Sequence, residues 1–219
     1  MIQQQTLQFL KDLKKNNNKE WFDKHRATYE TAKNNFREFI GELILNISKF
    51  DPAVKQLEPK ECVFRINRDI RFSKDKTPYK INLAGSISPG GKKSFTAGYY
   101  IHVQPGASFL AGGMWQPEPV YLNAIRQEID YNADEFKKII SAKAFKTNFG
   151  TLSDEDKLKT VPKGYDKTHP HIEWLKHKSY IVIHELSDKD VLSKTFLKQC
   201  TTVLHTIHPL NSFLRRACD

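Results

Sequence analysis

The sequence predicts an α+β fold, with an antiparallel β-sheet meander covered by N-terminal and C-terminal helices. Apolar residues recur at helical spacing at both ends of the chain, whereas between residues 60 and 116 the period changes to two. The connections between the predicted strands carry turn residues, as in residues 88–91 and in Pro105-Gly106. Such short links favour antiparallel pairing, because parallel strands need long crossovers.

Residues 1–50 are predicted to be helical. A stripe of leucines indicates a short first helix, and Asn17 followed by Glu20 resembles the capped start of a second one. An apolar stripe continues from about Lys19 to Asp51-Pro52, where the proline ends the helix. A helix this long and amphipathic needs an apolar partner, so we expect it to pack on the sheet.

Five strands are predicted in the rest of the chain. In the first, which follows Pro59, Cys62, Phe64 and Ile66 alternate with other residues, so Arg65 is expected on the face opposite the apolar set. The other four are expected at residues 81–88, 95–104, 108–115 and 180–186.

Further helices are predicted between and after these strands. One opens at Pro117-Glu118-Pro119, one is capped by Asn132 with Glu135 and runs toward Ala144, and a last one is capped by Ser187 with Asp190. Residues 150–178 are expected to form a loop with short helices. The chain is predicted to be one domain over 1–219: helical over 1–50, sheet-forming over 60–116, helices and loop over 117–178, and a strand with a terminal helix over 179–219.

The composition indicates an anionic partner and excludes several classes of protein. Thirty-five Lys and Arg face 25 Asp and Glu, a net charge of +10, which attracts phosphates, nucleic acids or acidic surfaces, although a solvated lysine-rich surface gives the same balance. The three cysteines contain no CxxC pair, so neither a disulfide framework nor a zinc site is indicated. No cofactor is predicted.

The chain also lacks the patterns of targeting and membrane segments. Its first residues do not combine a basic start with an apolar run, and no stretch approaches the roughly 20 apolar residues that span a bilayer. We therefore expect a soluble, cytoplasmic protein that does not bind membranes. The oligomeric state is left open.

Residues 60–80 form an arginine-rich cationic segment, with seven basic residues against three acids. Guanidinium groups match carboxylate or phosphate oxygens two at a time, so closely spaced arginines are suited to clamp an anion. The predicted ligand-binding residues here are Arg65, Arg68, Arg71, Lys76 and Tyr79, with Asp69 to orient a guanidinium or take a proton. The alternative is a set of structural ion pairs, which stabilise a surface by only about 0–1 kcal/mol each.

Residues 65–79 read RINRDIRFSKDKTPY. This string resembles the signature RxxRDxRFxxDKxxY of an uncharacterised bacterial family, domain of unknown function 2461. Residues 112–119, GGMWQPEP, and residues 162–166, PKGYD, also resemble that family, so the likeness covers nearly the whole chain. The resemblance implies a compact bacterial domain of this length and brings no activity, substrate or cofactor with it.

Four residues outside the arginine-rich segment are further candidates. Glu118 and His169 are the candidate proton-transfer groups, and Trp115 and Tyr165 are candidate ligand contacts. Each has a structural alternative, since a glutamate is favoured at any helix N-terminus and a loop histidine often caps a short helix. His169-Pro170-His171 lacks an evident third ligand, so no metal site is predicted.

Three functions remain open on this basis. The first is a pocket for a small phosphate- or carboxylate-bearing ligand, with or without catalysis. The second is a nucleic-acid-binding module that uses the net charge, a lysine-bearing hairpin at residues 88–93 and the aromatic side chains of residues 99–103 as a stacking platform, although burial on both faces explains these aromatics equally well. The third is a structural or partner-binding domain without a small ligand.

Overall fold

The computed structural model describes residues 1–218 and confirms the predicted α+β class. Four antiparallel strands lie in the order β1-β2-β3-β4, which is the predicted meander. The strands are Leu83–Ile87 (β1), Gly98–Val103 (β2), Ser108–Met114 (β3) and Tyr180–Leu186 (β4).

Ten α-helices accompany the sheet within residues 1–218. They are Gln4–Lys15 (α1), Lys19–Lys24 (α2), Arg26–Ile47 (α3), Pro59–Cys62 (α4), Pro119–Tyr131 (α5), Ala133–Ser141 (α6), Lys143–Phe149 (α7), Ile172–Leu175 (α8), Asp188–Val191 (α9) and Phe196–Arg216 (α10). The N-terminal and C-terminal helices α3 and α10 pack against the sheet, as predicted.

Several helix boundaries differ from the prediction for local reasons. The long helix expected from Lys19 is divided at His25, whose backbone leaves the helical region with ψ of 19°. Asn18, not Asn17, caps α2 by accepting the Trp21 N–H at 2.9 Å. The box of Ser187 and Asp190 is present, but it starts the short helix α9 and α10 begins separately.

The segment after α5 departs from the prediction in a similar way. Asn132 does not cap α6 with its side chain and instead donates to Glu128 Oε1 at 3.1 Å. The helix expected to reach toward Ala144 ends at Ser141, and α7 follows it.

The prediction of a strand after Pro59 is wrong. Pro59 starts the short helix α4, and Glu61 Oε2 accepts the Glu58 N–H at 2.8 Å in a capping box. Beyond this helix only two isolated bridges form, Val63 with Gly85 and Asn67 with Tyr79. The proline and the capping box therefore start a helix here, although the alternating apolar residues favour a strand.

The helices that pack on the sheet cover one of its faces. A β-carbon added at Gly85 would meet Ile40 of α3 at 2.9 Å, and one added at Gly112 would meet Ile207 of α10 at 2.6 Å. On β4 of the same face, His184 Nδ1 lies 2.9 Å from the Asn148 carbonyl of α7. The core cluster thus lies between this face and the helices.

The opposite face of the sheet, here called the open face, presents polar and aromatic side chains. Tyr100, His102 and Phe109 are half-buried on it, while Ile183 is 38% exposed. Its side chains, by strand register, are those of Ala84, Ser86, Tyr100, His102, Phe109, Ala111, Ile181, Ile183 and Glu185. Along β2, therefore, alternate side chains lie in the core and the side chains between them border solvent.

A buried polar network joins the end of α3 to β2 and α10. Arg215 Nη1 donates to both carboxylate oxygens of Asp51 at 3.0 and 2.9 Å, and the Tyr99 hydroxyl donates to Asp51 at 2.8 Å. Burial is the main cause that raises the pKa of Tyr99, and the Asp51 charge raises it further. A buried charge that is paired and hydrogen-bonded in this way fixes the relative position of three elements.

Candidate ligand-binding surface

Residues 67–79, here called the arginine loop, form a hairpin at the side of the sheet. The bridge between Asn67 and Tyr79 closes its base, where the Arg68 N–H donates to the Pro78 carbonyl at 2.9 Å. Asn17, in the α1–α2 linker, is bonded to the base of this hairpin. Its side-chain amide donates to the Tyr79 carbonyl at 2.8 Å and accepts the Tyr79 N–H at 3.1 Å. The loop is therefore anchored to the helical layer.

Arg68 lies inside this loop and holds it together. Its Nη1 donates to Asp75 at 2.6 Å and to the Thr77 carbonyl at 3.0 Å, and it also contacts the Thr77 hydroxyl. Its Nη2 is 3.4 Å from the Ser73 hydroxyl. The pKa of Asp75 is lowered first by the Thr77 N–H and then by Arg68. The guanidinium of Arg68 is thus engaged with partners of the same loop.

Arg71 is matched by an acid of its own. Its Nε and Nη2 donate to the two oxygens of Asp69 at 2.9 and 2.6 Å, a bidentate pair. The Arg71 side chain holds the pKa of Asp69 below its usual range. Next to this pair, Phe72 at the tip of the loop is 95% exposed, with the Arg71 guanidinium 5.8 Å from its ring centre.

Arg65 differs from the other two arginines because it has no acidic partner. Within the part of the chain that the structure describes, it forms no hydrogen bond and no ion pair, and it is exposed. Asp69 is near enough only for a weak electrostatic effect. Lys80 is also without an acid: its ammonium lies 5.5 Å from the ring centre of Phe64, and its pKa is lowered by burial and then by Arg65.

Lys76 and Tyr79 have structural contacts in the arginine loop. Lys76 Nζ donates to the Ile70 carbonyl at 3.0 Å. The Tyr79 side chain is only 7% exposed and its ring stacks on Phe22 of α2 at 4.0 Å. Arg68, Asp69, Arg71 and Lys76 therefore lie together in the arginine loop. Arg65 lies two residues before the loop, and the ring of Tyr79 packs beside α2.

Four rings on and beside the open face, here called the aromatic row, contact one another. His102 and Phe109 stack with ring centres 4.7 Å apart, and Phe109 lies 5.7 Å from Tyr100. Phe64 continues the row at 6.3 Å from Tyr100. Lys80 lies over Phe64, and Arg65 is near enough to Lys80 to lower its pKa, so these two cations, which have no ion pair among the described residues, lie at the Phe64 end of the row.

Hydrogen bonds fix the orientation of His102 in the row. Its Nε2 donates to the Gln104 amide oxygen at 3.3 Å, because that oxygen only accepts, and its Nδ1 then accepts from the Tyr100 hydroxyl at 3.2 Å. Burial lowers the pKa of His102, and the Lys80 charge lowers it further. At neutral pH the row therefore presents a neutral, oriented imidazole.

Strand β2 leads from the aromatic row to a cleft of about 740 Å³, here called the lysine groove. The groove lies between the C-terminal half of α1 and the β2–β3 turn, and Gln104, Lys11, Lys14, Lys15 and Ile81 are among its lining residues. Lys11 lies 3.4 Å from Asp188, whereas Lys14 and Lys15 have no ion pair among the described residues. The groove is thus net cationic.

Trp115 and Glu118 lie at the other end of the sheet from the arginine loop. Both follow the end of β3, where Met114 is the last strand residue, whereas the loop leads into the start of β1, beside the end of β2. A strand of seven residues is about 23 Å long. Trp115 is 67% exposed, and Glu118 is exposed with no side-chain partner among residues 1–218.

Tyr165 and His169 form a third, separate cluster. His169 Nε2 donates to Asp130 at 2.8 Å, and its Nδ1 accepts the His171 N–H at 3.2 Å, so both ring nitrogens are engaged. Tyr165 contacts the edge of the imidazole with ring centres 5.6 Å apart. Asp130 and Glu118 lie at opposite ends of α5, a helix of 13 residues and therefore about 20 Å long.

The sequence indicated only part of this surface. Residues 99–103 were predicted to place aromatic side chains on both faces of one strand, and Phe109 joins Tyr100 and His102 through the pairing of His102 with Phe109 across the β2–β3 turn. That pairing was accessible from the short Pro105-Gly106 turn and was missed. The lysine groove depends on the docking of α1 and has no local signal.

Residues 1–218 contain neither a cluster of metal ligands nor a membrane-spanning helix. No three histidine, cysteine or carboxylate side chains converge as metal ligands there. None of the helices in that part of the chain is both long and apolar enough to cross a membrane.

Comparison with known protein families identifies the family of the chain. The model of a family described as "Conserved hypothetical protein (DUF2461)" matches residues 5–213. No curated protein and no solved structure matches the chain.

Proposed function

The chain belongs to this family of conserved hypothetical proteins, whose description names no activity, and we propose that it binds an anionic ligand with a planar ring, as nucleotides have. One observation supports this most directly. Two cations without an acidic partner, Arg65 and Lys80, border a row of half-buried aromatic rings on the open face of the sheet.

The two parts of such a ligand need different partners, and both are present. A base gains about 1–3 kcal/mol by stacking on an aromatic side chain. The ring contacts of the row and the hydrogen bonds of His102 already fix the rings, so less conformational entropy is lost when a base stacks on them. A phosphate is suited to Arg65 and Lys80, since charge-assisted hydrogen bonds are the strong ones.

We assign the three arginines different roles within this proposal. Arg65 contacts the anion directly, whereas Arg68 keeps the arginine loop closed through Asp75 and Thr77. Arg71 contributes only when its pair with Asp69 opens. The proposal is one of binding, because Glu118 lies at the other end of the sheet, both ring nitrogens of His169 are engaged, and Asp69 is paired with Arg71.

The test is an NMR titration of backbone amides with adenosine 5′-monophosphate, with adenosine and inorganic phosphate as separate probes. We expect the nucleotide to shift signals of β2, β3 and Lys80 and to bind more tightly than either fragment. The double variant Arg65→Gln/Lys80→Met should weaken nucleotide binding about tenfold or more, because two charged contacts are lost.

Lys74→Met is the matched control for the loss of a cation. Lys74 is exposed in the same loop and has no ion pair among the described residues, so its removal should leave nucleotide binding within about twofold. The proposal is overturned if the nucleotide shifts no signal of the open face, or if the double variant and the control bind it equally.

A further inference from the structure

We infer that the ligand of the open face is a single strand of nucleic acid, whose backbone continues from the aromatic row into the lysine groove. This inference rests on the proposed function and extends it from one nucleotide to several. It is carried by the continuity of the two surfaces and by the unmatched charges along them.

The aromatic row and the lysine groove are joined along β2. Tyr100, His102 and Gln104 follow one another at alternate positions, and His102 donates to Gln104, which lines the groove. From Tyr100 to Gln104 the extended chain covers about 13 Å, and the groove continues beyond Gln104 along the β2–β3 turn and α1. A single nucleotide does not fill such a path, whereas linked nucleotides do.

Charge along the path complements a polyphosphate backbone. Four cations, Arg65, Lys80, Lys14 and Lys15, have no ion pair with a carboxylate among the described residues. The acids near the path include Asp188, which pairs with Lys11 and accepts the Gly106 N–H, and Asp69, which is engaged by Arg71. Asp12 on α1 accepts from Gln8, and Glu185 lies opposite Phe109 in the strand register. The unmatched cations thus lie at both ends of the path.

The geometry favours a single strand over a duplex. In a duplex the bases stack on one another and are not available to protein rings, whereas splayed bases of a single strand stack on aromatic side chains. The open face offers its rings on a sheet surface, where only unpaired bases reach them. DNA and RNA share this chemistry, so both belong in the test.

The experiment measures fluorescence anisotropy of end-labelled oligonucleotides, dT12 and U12, titrated with the full chain at several salt concentrations. With four phosphate contacts, we expect log affinity to fall with log salt at a slope of about 2.8. We also expect dT12 or U12 to bind at least 100-fold more tightly than adenosine monophosphate and more tightly than a 12-base-pair duplex.

Removal of the groove charges separates this inference from the proposed function. Lys14→Met/Lys15→Met should lower the slope by about 1.4 and the oligonucleotide affinity about 25-fold at 0.1 M salt. Binding of adenosine monophosphate should not change, because both lysines lie outside the aromatic row. Lys137→Met/Lys138→Met on α6 removes the same charge from exposed positions and should change affinity less than threefold.

Each outcome decides between the two claims. If adenosine monophosphate shifts the open face but oligonucleotides bind no more tightly, or the groove variant binds like the α6 variant, the inference is overturned and the proposed function stands. Equal affinity for single strand and duplex also overturns it. If neither nucleotide nor oligonucleotide contacts the open face, both claims fail.

Discussion

Arg68 uses its charge within its own loop, unlike Arg65, which lies two residues before the loop begins. Its side chain is 24% exposed and contacts an acid, a carbonyl and two hydroxyls between residues 73 and 77. Arg71, which is 76% exposed, forms one pair with Asp69. Three arginines with the same spacing in sequence therefore serve three different purposes.

The first prediction concerns the substitution Arg68→Met. It removes the donors that close the arginine loop, and hydrogen bonds from a charged group contribute about 1.5–3 kcal/mol. We expect the free energy of unfolding to fall by about 1–3 kcal/mol and the amides of residues 69–77 to exchange faster. Urea unfolding and hydrogen exchange measure the two effects.

Arg71→Met is the matched control for this substitution. Its partner Asp69 lies on the surface with it, so we expect no measurable change in the urea midpoint. If instead Arg68→Met leaves stability and amide hydrogen exchange unchanged but abolishes nucleotide binding, Arg68 contacts the ligand. Its assigned role in holding the arginine loop closed is then wrong.

The same residues show what the sequence predicted and what it left out. The cationic segment was visible in the sequence, because it needs only residue types and spacing. Whether each guanidinium finds an acid depends on loop conformation, which places Asp75 seven positions from Arg68 against its guanidinium. No periodic pattern encodes that contact.

At the scale of elements, the arginine loop depends on a helix linker that is distant in sequence. Asn17 follows α1 and pairs with both backbone groups of Tyr79, as an additional strand would. Phe22 of α2 stacks on the Tyr79 ring beside this clip. The loop is therefore positioned by the α1–α2 region, which also carries the lysine groove.

The second prediction concerns Asn17→Ala. The substitution leaves the Tyr79 N–H and carbonyl without their partner, at a cost of about 1–3 kcal/mol when such groups are partly buried. We expect lower stability in urea and faster exchange of Tyr79 and Lys80. Asn34→Ala on the exposed side of α3 is the control and should not destabilise, because alanine is the better helix former. Equal effects of the two substitutions would show that the hydrogen bonds between Asn17 and Tyr79 do not stabilise the fold.

Element prediction from the sequence succeeded where the signal was local. The strands around the turns at residues 88–91 and Pro105-Gly106 formed in the predicted meander, since alternation and turn residues agree there. It failed after Pro59, because the capping box of Glu58 and Glu61 was not recognised beside the alternating residues. The open face was not predictable as a surface, since it requires knowing that the helices cover the other side.

At the scale of the whole molecule, the core and the proposed binding surface lie on opposite faces of one sheet. The helix-covered face holds the core and the buried network of Asp51, Tyr99 and Arg215. The open face holds the aromatic row, and the unmatched cations lie at its borders. Substitutions on the open face can therefore change binding without removing core contacts.

The last prediction concerns the pH dependence of stability. Burial is the main cause that lowers the pKa of His102, His177 and His208 in the folded protein. The unfolded chain therefore binds more protons than the folded one as pH falls below about 6.5, so protonation favours unfolding. We expect the free energy of unfolding in urea to decrease from pH 7.5 to pH 5, by at most about 1.4 kcal/mol per pH unit for each histidine.

His177→Gln tests this assignment at the most buried of the three. His177 is 4% exposed, and its Nδ1 lies 3.1 Å from the Ser153 carbonyl, to which a glutamine amide can also donate. The variant should be less sensitive to pH between 7.5 and 5 than the parent protein, because one titrating group is gone. The carboxyls of Asp69 and Asp75, whose pKa values are lowered, titrate below this window and do not obscure it. A free energy of unfolding that rises as pH falls would mean that the histidines gain protons on folding, contrary to their burial.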